Sequence, residues 1–240
     1  MNLSSNSNAL RPYDLLIFDW DGTLMDSTAT IAACIQAACV AVGQPKPDIE
    51  KCKYVIGLGL MDALRHVAPK CPEDLYPELG RHYRMNYLAG DMHLQLFDGV
   101  AVMLASFAEA GYTLAIATGK NRAGLDRVLK NTGIGGFFAA TRGADEALPK
   151  PDGLMVKQIL EELNFAPHRA LVIGDTTHDI GMAHHAGVGA LALVQGAHSA
   201  DELTAANPLA VLSSISLMPA WLKERSLAKL AKLKTEQSEG

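Results

Sequence analysis

Five short runs of almost uninterrupted apolar residues punctuate the chain, at 15–18, 112–117, 137–140, 170–173 and 190–194, and most run directly into Gly, Asp or Thr. Runs this short, without polar alternation, predict strands buried on both faces, as in a parallel sheet covered by helices. Between them, amphipathic stretches at 99–110, 122–131, 153–163 and 179–185 predict helices. Strand alternating with helix defines an α/β fold with a doubly wound parallel sheet.

One interval breaks the alternation. Residues 26–96 contain no convincing strand and read as helices at 27–42, 61–67 and 74–88, with loops at Gln44-Pro45-Lys46-Pro47 and Ala68-Pro69. About 70 residues suffice for a small helical domain. The expected organisation is a core of residues 1–25 plus 97–240, carrying a helical insert of residues 26–96 directly after its first strand. Leu222, Leu227, Leu230 and Leu233 recur within 221–234, a final helix expected to pack on its own core.

Composition narrows the function. The chain has 240 residues, 49% hydrophobic and 20% charged, with 26 acidic against 21 basic side chains and a net charge of −5. A phosphate backbone is bound through clustered Lys and Arg, so nucleic acid is excluded as the main partner. Any anionic ligand needs a local positive charge, such as a metal ion. No repeat or low-complexity tract is present, and no apolar run approaches the 18 or so residues that span a bilayer. Residues 1–9 are rich in Asn and Ser, without the basic and apolar regions of a signal peptide, so a cytoplasmic protein with no membrane partner is expected. Cys34, Cys39, Cys52 and Cys71 form no C-x-x-C pair and are expected to be buried small hydrophobes.

In open α/β sheets ligands bind at the carboxyl ends of the strands. Those ends read Asp19-Trp20-Asp21-Gly22-Thr23, Thr118-Gly119-Lys120, and Gly174-Asp175-Thr176-Thr177-His178-Asp179, with Pro149-Lys150-Pro151 before the helix that leads to the fourth strand. A single aspartate at a strand end ordinarily caps a helix or turns a loop. Two clusters of carboxylates converging on one rim repel each other unless a cation lies between them. Oxygen ligands without Cys or His favour Mg²⁺ over zinc, and Mg²⁺ beside a lysine, a hydroxyl and glycine amides makes a site for a phosphoryl group. Trp20 is read as packing.

Asp19-Trp20-Asp21-Gly22-Thr23-Leu24, Thr118-Gly119, Lys150-Pro151 and Gly174-Asp175-x-x-x-Asp179 resemble, in order and position, the four motifs of the haloacid dehalogenase superfamily. The resemblance runs from about Tyr13 to Val211. The helical insert resembles the family's C1 cap, and the nearest branch is the phosphoglycolate-phosphatase-like enzymes. It implies a Rossmann-like core and a Mg²⁺-dependent phosphatase acting on a small phosphorylated metabolite, as a monomer or homodimer. By the same resemblance Asp19 would be the nucleophile that forms an aspartyl-phosphate, and Asp21 would protonate the leaving oxygen and then activate water. Thr118 and the Gly119 amide would hold phosphate oxygens, with Gly22 beside them, and Lys150 would neutralise charge. Asp19, the main-chain carbonyl of Asp21, and Asp175 would bind Mg²⁺, while Asp179 would support the metal's waters or orient Lys150. Gly57, Leu58 and Gly59 would belong to a cap loop that reads the substrate.

Competing readings fail on particular residues. Gly119-Lys120-Asn121 lacks the first glycine and the final Ser or Thr of a P-loop, and Gly57-Leu58-Gly59 lacks the third glycine of a dinucleotide fingerprint. His184 and His185 point about 100° apart on a helix and cannot share one ion. His178 lies near the site and is expected to be a loop residue. Asp21 argues for phosphoryl transfer, because dehalogenases attack carbon without a second aspartate. Leu60 fills the slot where mutases of the family carry Arg. Lys51 and Lys53 remain candidates for the Schiff-base lysine of a phosphonatase, and Arg65, Arg81 and Arg84 for contacts to a substrate carboxylate. A catalytically idle binding protein on the same fold is the alternative from another class.

Overall fold

A computed structural model describes residues 11–90 and 94–238. Six parallel strands form one sheet: β1 (Leu15–Phe18), β2 (Thr113–Ala117), β3 (Phe138–Arg142), β4 (Ala170–Gly174), β5 (Gly189–Leu193) and β6 (Ala210–Leu212), in the spatial order 3-2-1-4-5-6. The helices are α1 (Thr28–Ala41), α2 (Ile49–Tyr54), α3 (Leu60–Val67), α4 (Tyr76–Gly90), α5 (Val100–Glu109), α6 (Arg122–Thr132), α7 (Leu154–Leu163), α8 (Thr177–His185), α9 (Ala200–Ala205) and α10 (Met218–Ser238). This is the α/β doubly wound sheet expected from the alternation, with the helices α1 to α4 inserted after β1.

The strand period of two sorts side chains to opposite faces. Leu16, Phe18, Leu114, Ile116, Leu171 and Ile173 face one side, where α5, α6 and the start of α10 cover them. Leu15, Ile17, Ala115, Ala117, Ala170 and Val172 face the other, covered by α7 and α8. Both faces are therefore buried, which is why the strands carry no polar alternation. Trp20 is fully buried in the first of these clusters, as expected of a packing residue. Met218 and Leu222 anchor α10 there, and Tyr13 stacks on Trp221 with ring centroids 6.5 Å apart.

Several boundaries differ from the sequence reading. Strand β6 was not anticipated: it has three residues, none fully buried, and pairs only with β5 at the sheet edge. Helices α2 and α9 have six residues each, too few for an apolar period to register. Their starts are marked instead by capping side chains, Asp48 on Glu50 N and Ser199 on Glu202 N. Helix α8 begins at Thr177 rather than 179, because Thr176 and Asp179 form a reciprocal capping box. The helix expected at 74–88 is a 3₁₀ turn, Glu73–Leu75, followed by α4. The final helix starts at Met218, three residues before the expected 221. The reading of residues 1–9 falls outside the described residues.

The inserted helices share their own core, built from Ile31 and Ile35 of α1, Leu64 of α3, and Leu79 of α4. All four cysteines are buried in it as free thiols. Burial pushes the Cys39 and Cys52 thiols up to about 11, so they behave as small hydrophobes, as expected. Among the described residues no helix is long and apolar enough to cross a membrane.

Because Leu64 is fully buried among these helices, Leu64→Ala should destabilise the protein by about 2–5 kcal/mol in urea unfolding. A loss under about 1 kcal/mol would show that the inserted helices share no packed core.

Candidate active site

The sheet order reverses its direction of growth at β1 and β4, which pair directly, Phe18 opposite Ile173. A crevice opens at the carboxyl ends of such strands. Asp19 follows β1, Thr118 and Gly119 follow β2, and Asp175 follows β4, so the topology delivers the motif residues to one rim. Lys150 arrives from the segment before α7. Its Nζ donates to Asp19 Oδ1 and, at 2.7 Å, to Asp179 Oδ1. The carboxylates of Asp19, Asp175 and Asp179 lie within 4.8 Å of one another, and all three are buried.

Each carboxylate is held by a different part of the fold. Thr23 Oγ1 donates to Asp175 Oδ1 at 2.7 Å, and the Ala197 amide donates to Oδ2 at 2.8 Å. Asp179 Oδ2 accepts from the Thr176 amide at 3.0 Å and from Thr176 Oγ1 at 2.7 Å, the capping box of α8. Asp19 Oδ2 is buried with no hydrogen-bond partner among the described residues. Gly22 adopts φ +81°, and any Cβ there would collide with the Asp175 carboxylate, so only glycine lets the two loops approach.

Charge is unevenly shared. Burial pushes the Asp19 carboxyl from 3.8 up to about 7, despite the attraction of Lys150. Asp175 is raised well above the usual carboxylate range by burial, and then by Asp179 and Asp19. Burial also acts upward on Asp179, but Lys150 and the Thr176 hydrogen bonds outweigh it and lower its pKa. Lys150 is raised because Asp179 and Asp19 outweigh its own desolvation. The Lys150–Asp179 pair thus neutralises itself and leaves Asp19 and Asp175 resisting ionisation. An unpartnered carboxylate oxygen and two reluctant carboxyls, all hard oxygen donors, fit a divalent cation such as Mg²⁺.

Above the rim lies a cavity of about 600 Å³, lined by Asp19, Asp21, Thr118, Gly119 and Lys120 from the core and by the Gly57–Gly59 loop from the inserted helices. The loop presses on the core: a Cβ on Gly119 would lie 2.6 Å from the Gly57 carbonyl oxygen. Leu60 and Arg84 also line the cavity. Lys51 and Lys53 instead bond Val67 O and Glu50. Arg65 and Arg81 pair at the surface with Glu73 and Glu78.

The Asp21 carboxylate is not part of the acidic cluster. Ser27 Oγ donates to its Oδ1 at 2.7 Å, and Lys120 Nζ lies 2.8 Å from its Oδ2. The spacing of polar residues did not disclose these partners. Ser27 looked like an ordinary helix start, yet its hydroxyl makes no capping bond to α1. Lys120 stood at the right strand end, but nothing local to it names Asp21. His178 lies in α8 rather than in a loop, largely buried, with Nε2 2.8 Å from the Tyr54 carbonyl oxygen. His198 meets the same oxygen at 2.9 Å and stacks on the Tyr54 ring, tying α2 to the core.

A family model described as haloacid dehalogenase-like hydrolase matches residues 16–193. The protein named "Probable phosphatase IndB" of Dickeya dadantii is 32% identical over 211 residues, spanning 84% of this chain and 90% of that one. The phosphoglycolate phosphatase of Photobacterium profundum is 31% identical over 211 residues, spanning 84% and 92%. A solved haloacid dehalogenase-like family hydrolase from Streptococcus pneumoniae has a TM-score of 0.76 at 27% identity, covering 88% of this chain and 98% of that one. The fold and the rim define a hydrolase built on a parallel α/β sheet with an inserted helical cap. The chain belongs to the haloacid dehalogenase-like hydrolases.

The electrostatics set a sign for metal binding. With its carboxyl raised from 3.8 to about 7, Asp19 keeps a proton in the ion-free fold that the unfolded chain releases. Stability from this group is full below about pH 4 and is lost as pH rises through about 7. A bound cation needs the ionised form, so the rise in Tm on adding Mg²⁺ to EDTA-treated protein should be larger at pH 7.5 than at pH 5.5. A Tm increment independent of pH would contradict this arrangement.

Proposed function

We propose that the protein is a Mg²⁺-dependent phosphatase that hydrolyses a small phosphorylated metabolite through an aspartyl-phosphate on Asp19. The observation that carries this reading is Asp19 itself: one oxygen is held by Lys150, and the other is buried without a partner beside two further carboxylates. Asp19, Asp175 and the main-chain carbonyl of Asp21 would hold Mg²⁺, with Asp179 orienting Lys150. When bound, the ion supplies positive charge that lets a carboxylate approach a phosphate anion.

In the first step Asp19 attacks phosphorus, the bond from phosphorus to the ester oxygen breaks, and Asp21 protonates that oxygen as it leaves. In the second, Asp21 takes a proton from water as the water oxygen bonds to phosphorus. The Asp19–phosphorus bond breaks, its electron pair returns to the carboxylate, and phosphate leaves. Thr118, the Gly119 amide and Gly22 border the phosphoryl group, and Lys150 offsets negative charge throughout.

Residues 26–96 act as the cap and residues 1–25 plus 97–240 as the core. The Gly57–Gly59 loop, seated on Gly119, closes the cavity over the leaving group and excludes water. Phosphoglycolate is the first candidate substrate, supported by the names of relatives such as that from Photobacterium profundum. Lys51 and Lys53 lie outside the cavity lining, and Leu60 rather than Arg enters it, which disfavours phosphonatase and mutase chemistry.

Purified protein should hydrolyse p-nitrophenyl phosphate with Mg²⁺ and stop in EDTA. Asp19→Asn should abolish turnover, and Asp21→Asn should slow it by about 10²–10⁴, typical of losing an acid–base group. Near-normal turnover by Asp19→Asn would overturn the mechanism. A panel of phosphorylated metabolites ranked by kcat/KM should place phosphoglycolate first; sugar-phosphate isomerisation exceeding hydrolysis would identify a mutase instead.

A further inference from the structure

Lys120 occupies a position that the proposed chemistry does not explain. It lies one residue beyond Gly119, and its side chain is only 10% exposed. Its Nζ lies 2.8 Å from Asp21 Oδ2 and donates to the Tyr87 hydroxyl, also at 2.8 Å. The same ammonium sits 4.6 Å from the centroid of the Tyr87 ring. Tyr87 belongs to α4 of the inserted helices, lines the same cavity as Lys120, and stacks on Tyr83 with centroids 6.0 Å apart. A lysine reaching out to a substrate would ordinarily be solvated, with its head free. This one is held between a core carboxylate and a cap phenol.

Asp21 has both oxygens committed, to two different kinds of partner. Ser27, at the junction where the chain leaves the core for α1, holds Oδ1. Lys120 holds Oδ2. A free carboxylate rotates about χ2 with little resistance, because terminal sp³–sp² torsions are broad. A hydrogen bond from Ser27 on one oxygen and an ion pair with Lys120 on the other restrain that rotation. Proton transfer is sensitive to such alignment, and a misplacement of about 1 Å can cost about 10²-fold in rate.

We propose that Lys120 is a positioning residue that locks the acid–base carboxylate of Asp21 in the plane needed for proton transfer and, through Tyr87, makes that lock depend on the cap. The inference rests on the phosphatase reading above. In the hydrolytic step, Asp21 takes a proton from water while the water oxygen bonds to phosphorus. The Asp19–phosphorus bond breaks as this happens, and its electron pair returns to Asp19. Lys120 transfers no proton in this scheme and touches neither water nor phosphate. With the cap displaced, Tyr87 leaves Lys120 and the ammonium loses one of the two groups that fix it, so Asp21 is held fully only when the cavity is covered.

The test compares wild type with Lys120→Met, Lys120→Arg and Tyr87→Phe, each in the full chain with Mg²⁺. Two substrates are used: p-nitrophenyl phosphate, whose leaving group needs no proton, and ethyl phosphate, whose leaving group does. Lys120→Met should lower kcat by about 10–10²-fold with KM little changed, part of the range for an acid–base group. Its loss should be greater on ethyl phosphate. With p-nitrophenyl phosphate the acid-quenched phosphoenzyme fraction should rise above wild type, because formation is spared and hydrolysis is not. Lys120→Arg should recover most of kcat, and Tyr87→Phe should show a smaller effect of the same kind. If Lys120→Met does not fold, the Arg and Phe variants carry the same comparison.

An unchanged kcat on both substrates, with only KM raised, would make Lys120 a substrate-binding residue and overturn the proposal. Equal losses on both substrates with an unchanged phosphoenzyme fraction would also overturn it. Wild type that hydrolyses neither substrate would overturn the phosphatase reading and this role together, whereas active wild type with an unaffected Lys120→Met overturns this role alone.

Discussion

Asp19, Asp175 and Asp179 are sealed from solvent within 4.8 Å of one another, with Lys150 bonded to two of them. One ammonium satisfies one carboxylate, and Asp179 is the one whose pKa falls. The other two are driven toward their neutral forms by burial and mutual repulsion. A divalent cation would restore both charges at once, and much of the surrounding structure holds the three carboxylates in place. Thr23 and the Ala197 amide hold Asp175, the capping box of α8 holds Asp179, and Gly22 leaves room for the Asp175 carboxylate to pass. The six-stranded order matters to function because it sets β1 beside β4 and so brings these loops together.

The core was legible because its signals are local. Strands buried on both faces leave continuous apolar runs, and the strand ends that follow carry the aspartates and Thr118 in plain view, with Lys150 in the Lys-Pro segment before α7. What escaped had either too little length or only a tertiary cause. Strand β6 earns its place by pairing at the edge with β5, and three residues are too short to show a period. Helices α2 and α9 declare themselves only through Asp48 and Ser199. Ser27 and Lys120 are ordinary polar residues until the fold sets both against Asp21. Spacing along a chain cannot reveal that a hydroxyl six residues on and an ammonium 99 residues on share one carboxylate.

Core and inserted helices meet through contacts of unequal character. On one side, the Gly57 carbonyl lies so close to Gly119 that no side chain could intervene. On the other, the Tyr54 carbonyl lies within hydrogen-bond distance of both His178 and His198, which flank the loop of Asp175 and the helix of Asp179. The third contact, Lys120 to Tyr87, joins Asp21 to α4. The contacts at Gly119 and Lys120 join inserted helices to the motif loop after β2, while Tyr54 joins them to α8, the helix of Asp179, and to the loop after β5. The cap therefore bears on the chemistry at several points, and its position sets the shape of the cavity in which a phosphoester would react.

In the proposed mechanism a phosphoryl group is carried transiently on Asp19. Acid quench during steady-state turnover, followed by proteolysis and mass spectrometry, measures it directly. A phosphoryl adduct is expected on the peptide bearing Asp19, absent when Mg²⁺ is withheld. Turnover with no adduct, or with the adduct on another residue, would contradict it.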